Sequence, residues 1–196
     1  MPKYPESMRS AIEETIREKI RTAGSALLRE QGWEGFTTEK IAERVGLSRG
    51  VLYHYFANKE AIARFIIESA WEEQFRKLET IAGNGRSASE RLSAIAELLV
   101  AEVVAHRPMH RILLAHLPPP GENREAVIAL RRRREALFRR IVEEGIRNGE
   151  FAAVSSAAAV AAYTGAVHEL CLQTLFCGTP PRTADTVQIF LRGIRP

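Results

Sequence analysis

Two cysteines occur in 196 residues, and aromatic residues make up only 7% of the chain. Cys171 and Cys177 are six positions apart, on different faces of any helix. Neither a disulfide nor a thiolate metal site is therefore expected, and reduced thiols in a cytoplasm fit best. No basic segment followed by a short apolar run opens the sequence, so no secretory leader is expected. One long uncharged stretch, Phe151 to His168, is dominated by Ala, Ser, Thr and Gly rather than Leu, Ile or Val. It reads as a buried helix and not as a membrane span. Strand-like alternation is missing throughout, whereas apolar residues recur at helical spacing, so an all-α protein is expected. An excess of one charge is also missing where it would be most telling. Residues 1–82 hold 13 Lys+Arg against 13 Asp+Glu, and the net charge of +4 comes wholly from residues beyond them. Bulk charge thus gives no argument for nucleic-acid binding in the first part of the chain, and any such function must rest on motif geometry.

The helical pattern divides into about nine segments. The first runs from about Ser7 or Met8 to Gln31, with a stripe of Ile12, Ile16, Ile20, Ala23, Ala26 and Leu27, and Gly32 stops it. Thr38 is a suitable N-cap for a short helix to Val45, Gly46 suits a left-handed turn position, and Ser48 caps a helix from Arg49 to about Phe56. Asn58 caps a long helix from Lys59 to about Ile81, and Gly83-Asn84-Gly85 is the clearest break. Further helices are expected from Ser87 or Ser89 to about His106, from Pro108 to His116, from about Asn123 to Asn148, from Ser155 or Ser156 to near Gly178, and from about Thr183 to Gly193. Pro118-Pro119-Pro120-Gly121 reads as a rigid extended loop, and Pro180-Pro181 separates the last two helices.

Residues 36–56, Phe-Thr-Thr-Glu-Lys-Ile-Ala-Glu-Arg-Val-Gly-Leu-Ser-Arg-Gly-Val-Leu-Tyr-His-Tyr-Phe, hold two short helical patterns around a glycine turn, the layout of a helix-turn-helix. A major groove admits one helix and is read by residues near its N-terminus, here Arg49, Gly50 and Tyr53. Gly50 weakens a helix but lets a backbone come close to DNA. Arg49 can donate to guanine or to phosphate. Ser48, Thr37 and Thr38 can offer hydroxyls or backbone amides to phosphate. Val51, Leu52 and Phe56 are read as the apolar side that holds the helix on its bundle. Tyr53, His54, Tyr55 and Phe56 run consecutively around a short helix, so two or three of them must face outward.

This stretch resembles the DNA-binding domain of the TetR family of bacterial transcriptional regulators. Gly-Leu-Ser-x-Gly-x-Leu-Tyr-x-Tyr-Phe followed by Asn-Lys-Glu carries the likeness, which spans roughly residues 12–65. The resemblance implies phosphate contacts from Thr37 with Thr38, from Tyr55 and from Lys59, and a groove-facing set of Arg49, Gly50, Tyr53 and His54. It also implies a three-part organisation: a DNA-binding domain over 1–57, a connecting helix over 58–82, and an effector-binding and dimerisation domain over 83–196. The last two long helices would form a dimeric bundle. Ala161, Thr164, Gly165 and His168 lie on the first of these, where a small-residue face at Ala157 and Ala161 permits close approach; Val187, Phe190 and Ile194 lie on the second, with Leu191. Two-fold symmetry then sets two reading helices over a pseudo-palindromic operator about 34–36 Å apart.

In residues 83–196, Arg134 falls inside the apolar stripe Val127, Leu130, Leu137, Phe138, Ile141 and Val142, although the neighbouring arginines fall outside it. A charge there is either paired, with Glu97, Glu102 or Glu169, or it meets an anionic effector. Trp71, Phe75, Leu98, His106, Met109, Leu113, Phe138, Tyr163, Val167 and Cys171 either line an apolar pocket or form plain core. Of the histidines, His106, His110, His116 and His168 show no ligand spacing, so no metal and no cofactor is expected. Ser-His-Asp order, a carboxylate pair, a Cys–His dyad and a phosphate-cradling glycine loop are all unrecognisable, so no enzyme is expected. The expected protein is a cytoplasmic, homodimeric, sequence-specific regulator, most simply a repressor that leaves its operator when an unidentified small molecule binds, with no membrane partner. The helix from Asn58 to Ile81 would be the lever. The rival is a DNA-binding regulator with no small-molecule effector, controlled by a protein partner.

Overall fold

The computed structural model describes residues 5–116, 124–177 and 182–196, without the side chains of 112–116 and 124–127. Among these residues there are nine α-helices and no strand: α1 (Glu6–Gly35), α2 (Thr38–Val45), α3 (Arg49–Tyr55), α4 (Lys59–Ala82), α5 (Ala88–Ala105), α6 (Arg107–His116), α7 (Arg124–Arg147), α8 (Ser156–Phe176) and α9 (Thr183–Gly193). The loops expected at Pro118–Gly121 and Pro180-Pro181 lie outside the described residues. No helix is long and apolar enough to cross a membrane. Contacts divide the chain into two compact units: residues up to 72 together with 111–117, and residues 73–110 with those from 118 onward. The division falls within α4 and within α6.

In the first unit, the α1 stripe becomes interior only from Ile20 onward; Ile12, expected in it, is 43% exposed. Gly32 has φ 66° and ψ −165°, so the regular helix is interrupted there before a last turn that ends at Gly35. Phe36 is fully buried, and the chain leaves it extended through Thr37. The cap of α2 is consequently Thr37, whose hydroxyl accepts from Lys40 N at 3.3 Å, and not the expected Thr38, which is the first helical residue. Gly46 closes α2 at φ 70°, with Leu47 N donating to Ala42 O at 2.9 Å. Ser48 accepts from Val51 N and Asn58 from Ala61 N, so α3 and α4 start where their caps predict. The core joins Ile20, Leu27, Leu28, Phe36, Ile41, Leu52, Ile62 and Ile66. Gly24 lies so close to Ile66 and Phe36 that a side chain there would collide with them, which fixes how closely α1 and α4 pack.

The second unit is built around Leu92, Ile95, Ala96, Ile141, Val142, Tyr163 and Leu191. Tyr163, almost fully buried, donates its hydroxyl to Leu92 O at 2.6 Å, which satisfies the polar end of a core aromatic. A capping box at Ser87 and Glu90 opens α5. The carboxylate of Glu150 adds to it by accepting from Ala88 N at 2.9 Å and Ser89 N at 2.7 Å. Arg91 is buried and donates to Ala82 O and to Glu144. The uncharged stretch after Phe151 forms much of α8 and buries one face, through Ala159, Val160, Tyr163 and Val167.

Candidate nucleic-acid interface

A helix turns about 100° per residue, so α3 can bury only a narrow side. Leu52 takes that side and is fully buried, and Phe56, just past the helix end, is also interior. Arg49, Gly50, Val51, Tyr53 and His54 are exposed and Tyr55 is half-buried. Of the four consecutive rings, two therefore face out, one lies at the edge and one is core. Val51 corrects the reading that placed it among the anchors: it is 40% exposed. About 100° around the helix from Leu52, it falls outside the buried side.

Behind this face, α2 holds the side chains that aim it. Thr38 is 8% exposed, with its hydroxyl 3.3 Å from the Tyr53 hydroxyl and 3.4 Å from Glu39 Oε2. The Thr38 hydroxyl, expected at a phosphate, lies between the Tyr53 hydroxyl and Glu39 on a mostly buried residue. Thr37 is half-buried and holds the helix cap. Arg49 forms an ion pair with Glu39 at 3.0 Å, both side chains being largely exposed. Glu39's own backbone N–H, helped by the Arg49 charge and the Thr37 and Thr38 hydroxyls, holds its carboxyl below the usual carboxylate range. Lys59, half-buried at the start of α4, sets its ammonium 4.5 Å from the centre of the Trp33 ring. The Glu39–Arg49 pair escaped the sequence reading. An acid in the first turn of a helix is an ordinary dipole complement, and only the turn geometry brings it to a residue ten positions on.

The other expected site residues are dispersed. Trp71 and Leu113 fall in the first unit, while Phe75, His106, Met109, Arg134, Phe138, Tyr163, Val167 and Cys171 fall in the second. The side chain of Leu113 lies outside those described. Phe75, Phe138, Tyr163 and Val167 are members of the packed core cluster, and Cys171 packs against it, its thiol pushed up to about 11 by burial. Leu98 is likewise packed there, Met109 is half-buried, and the His106 side chain is 50% exposed, so it does not extend the buried stripe of α5. Arg134 pairs with none of its expected carboxylates. Glu102 pairs with Lys77 and His106, and Glu169 accepts from Gln173. Arg134 Nε is buried without a hydrogen-bond partner, and burial lowers the pKa of its guanidinium. On α8, Ala157, Ala161, Gly165 and His168 are exposed, while Thr164 is half-buried with its hydroxyl lacking a partner. On α9, Val187 and Ile194, expected at the dimer surface, are buried within the chain and Phe190 packs on Tyr163, while Ile189 is 75% exposed.

A glycine turn between two capped helices, the second with an open polar and aromatic face, defines a helix-turn-helix DNA-binding protein. Comparison with known proteins agrees. The profile of bacterial regulatory proteins of the tetR family matches residues 20–64, and that of the tetracyclin repressor-like C-terminal domain matches residues 85–172. The chain is 30% identical over 153 residues to an uncharacterised HTH-type transcriptional regulator, YfiR, of Bacillus subtilis, spanning 74% of this chain and 72% of that one. It is 35% identical over 69 residues to the HTH-type transcriptional repressor AcnR of Corynebacterium diphtheriae, a match that spans 35% of each chain. Among solved structures, the transcriptional regulator FadR of Bacillus subtilis, in complex with stearoyl-CoA, shares the fold with a TM-score of 0.73 at 18% identity, over 91% of this chain and 99% of that one. The chain belongs to the TetR family of bacterial transcriptional regulators, a regulatory DNA-binding family and not an enzymatic one.

Proposed function

We propose that the protein is a ligand-responsive repressor that binds a pseudo-palindromic operator as a homodimer in the cytoplasm and leaves it when a small molecule binds the domain over 83–196. The observation that carries the DNA-reading half is the open face of α3: Arg49, Gly50, Tyr53 and His54 are exposed around a single buried anchor, Leu52. Arg49 and His54 offer donors to base edges, Gly50 lets the backbone approach, and Thr37, Ser48, Tyr55 and Lys59 serve the phosphates on either side. The repressor name of AcnR supports the direction of control.

The effector half is supported by Arg134. A guanidinium in an apolar helix stripe, with Nε buried and unmatched, gains from an anionic group that arrives on an otherwise apolar molecule. The stearoyl-CoA of the FadR complex is a molecule of that chemical kind. Effector binding releases DNA only if the ligand prefers a state in which the two reading helices are wrongly spaced, and α4, which contributes to both units, is the element through which such a preference would act. One observation favours control by a protein partner instead: Phe75, Phe138, Tyr163 and Val167 are close-packed.

The test is selection of bound sequences from a random duplex library by the purified protein, followed by titration of the winner with saturated and unsaturated acyl-CoAs. Enrichment of one pseudo-palindrome, released by an acyl-CoA from the wild type but not from Arg134→Ala, is the expected result. No enrichment removes the operator reading. Enrichment without release by any acyl-CoA removes the effector class.

A further inference from the structure

Two of the groove-facing side chains of α3 are tied to adjacent residues of α2. Tyr53 meets the hydroxyl of Thr38, Thr38 meets one oxygen of Glu39, and the other oxygen of Glu39 holds Arg49 at 3.0 Å. Tyr53 and Arg49 are four residues apart and share one side of the helix. The link is poor as a stabilising device. Arg49 and Glu39 side chains are 64% and 43% exposed, and exposed ion pairs contribute little to folding. A carboxylate on this surface also repels every phosphate that approaches Thr37. The helix dipole accounts for an acid in the first turn of α2, but not for its reach to Arg49, which adds little stability.

We infer that Glu39 is a specificity-determining residue of the DNA-reading surface, which holds Arg49 away from the phosphate backbone and aims it at a base. The inference rests on the operator reading above. A guanidinium presents five N–H donors in a planar fork, so one edge can keep the carboxylate while another donates to the acceptor edge of guanine. On a non-operator duplex the anion Arg49 meets is phosphate, whose charge repels the Glu39 carboxylate that shares the guanidinium, whereas the acceptor edge of guanine is neutral. The carboxylate thus penalises the phosphate contact and leaves the base contact intact. It is an element that acts against the wrong partner, as discriminating interfaces require.

The test compares wild type, Glu39→Gln, Arg49→Ala and the double variant, on the duplex enriched from the random library and on a scrambled duplex, across a salt series. Glutamine keeps the length of the side chain and removes its charge, and thermal melting checks that each variant is folded. Freed of Glu39, Arg49 takes a phosphate in each half-site. The salt slope on scrambled DNA is then expected to steepen by about 0.9 per half-site, so about 1.8 for a dimer. Scrambled-duplex binding tightens, and the operator-to-scrambled ratio falls about tenfold per half-site, so about a hundredfold for a dimer, as for loss of one aimed base contact in each. In the Arg49→Ala background the same Glu39 change leaves the ratio where Arg49→Ala alone puts it. If Glu39→Gln changes both affinities by one factor, or lowers the ratio equally without Arg49, the inference is overturned while the operator reading stands. If wild type enriches no sequence at all, both fall.

Discussion

A Cβ built on Gly50 would meet nothing nearer than Ser48 Oγ at 4.0 Å, so the free protein has room for a side chain that it does not carry. Glycine in a helix is less favourable than alanine by up to about 1 kcal/mol, and a vacant exposed position would ordinarily hold something better. In the operator complex proposed above, DNA against the backbone at Gly50 would supply the missing constraint. Gly50→Ala is therefore expected to raise the melting temperature slightly while weakening operator binding. Calorimetry and a binding titration on the same preparation read the two effects; a variant that binds as well as wild type would mean that the helix does not approach the groove at this point. The residues of this face differ in how far the sequence reveals them. Leu52 and Phe56 follow from periodicity alone, and Val51 was misassigned only because apolar character was weighed above its angular position. Glu39 and Thr38 were hidden for another reason: their role depends on the distance between two helices, which no spacing within one helix encodes.

Caps explain why the elements themselves were so legible. Ser48, Asn58 and Ser155 each accept from a backbone N–H three residues on, the signature that their positions announce. The one-residue error at α2 arose where two threonines are adjacent, and burial of Phe36 decided between them. What stayed invisible were the couplings between elements far apart in sequence. Glu150 closes the N-terminus of α5 from 61 and 62 residues away. Gly145, within α7, reads as a helix flaw until its surroundings are known. A Cβ there would lie 2.5 Å from Phe151 Cε2 and 2.9 Å from Ala88 Cβ, so α5, α7 and the residue that leads toward α8 meet at a point where only hydrogen fits. Alanine, the best helix former, is expected to destabilise the protein at this position by about 1–3 kcal/mol, because overpacking outweighs propensity. Urea denaturation measures it, and a stabilised Gly145→Ala would show that Phe151 can turn aside at no cost.

At the scale of the whole molecule, α9 buries one face and leaves the other open, which lets folding and the proposed assembly be tested apart. Val187, Leu191 and Ile194 complete the core of one protomer, so substitutions there report on folding. Ile189 is 75% exposed, Phe176 at the end of α8 is 63% exposed, and the small residues Ala157, Ala161 and Gly165 earlier on α8 are also uncovered. Large apolar side chains left open on the two helices that the proposed dimer would use are the features a self-complementary interface would cover. Ile189→Glu places a charge at that surface without touching the core. The expected outcome is a chain with unchanged helicity and melting cooperativity that sediments as a monomer. Its operator affinity should fall roughly a hundredfold or more, since the second half-site no longer binds at the high effective concentration that a dimer provides. On a single half-site duplex, wild type and variant should then bind alike. A variant that stays dimeric would place the interface elsewhere on the second unit. A monomer that retained full operator affinity would mean that the two-fold arrangement contributes nothing to recognition, and the pseudo-palindrome would lose its physical reason.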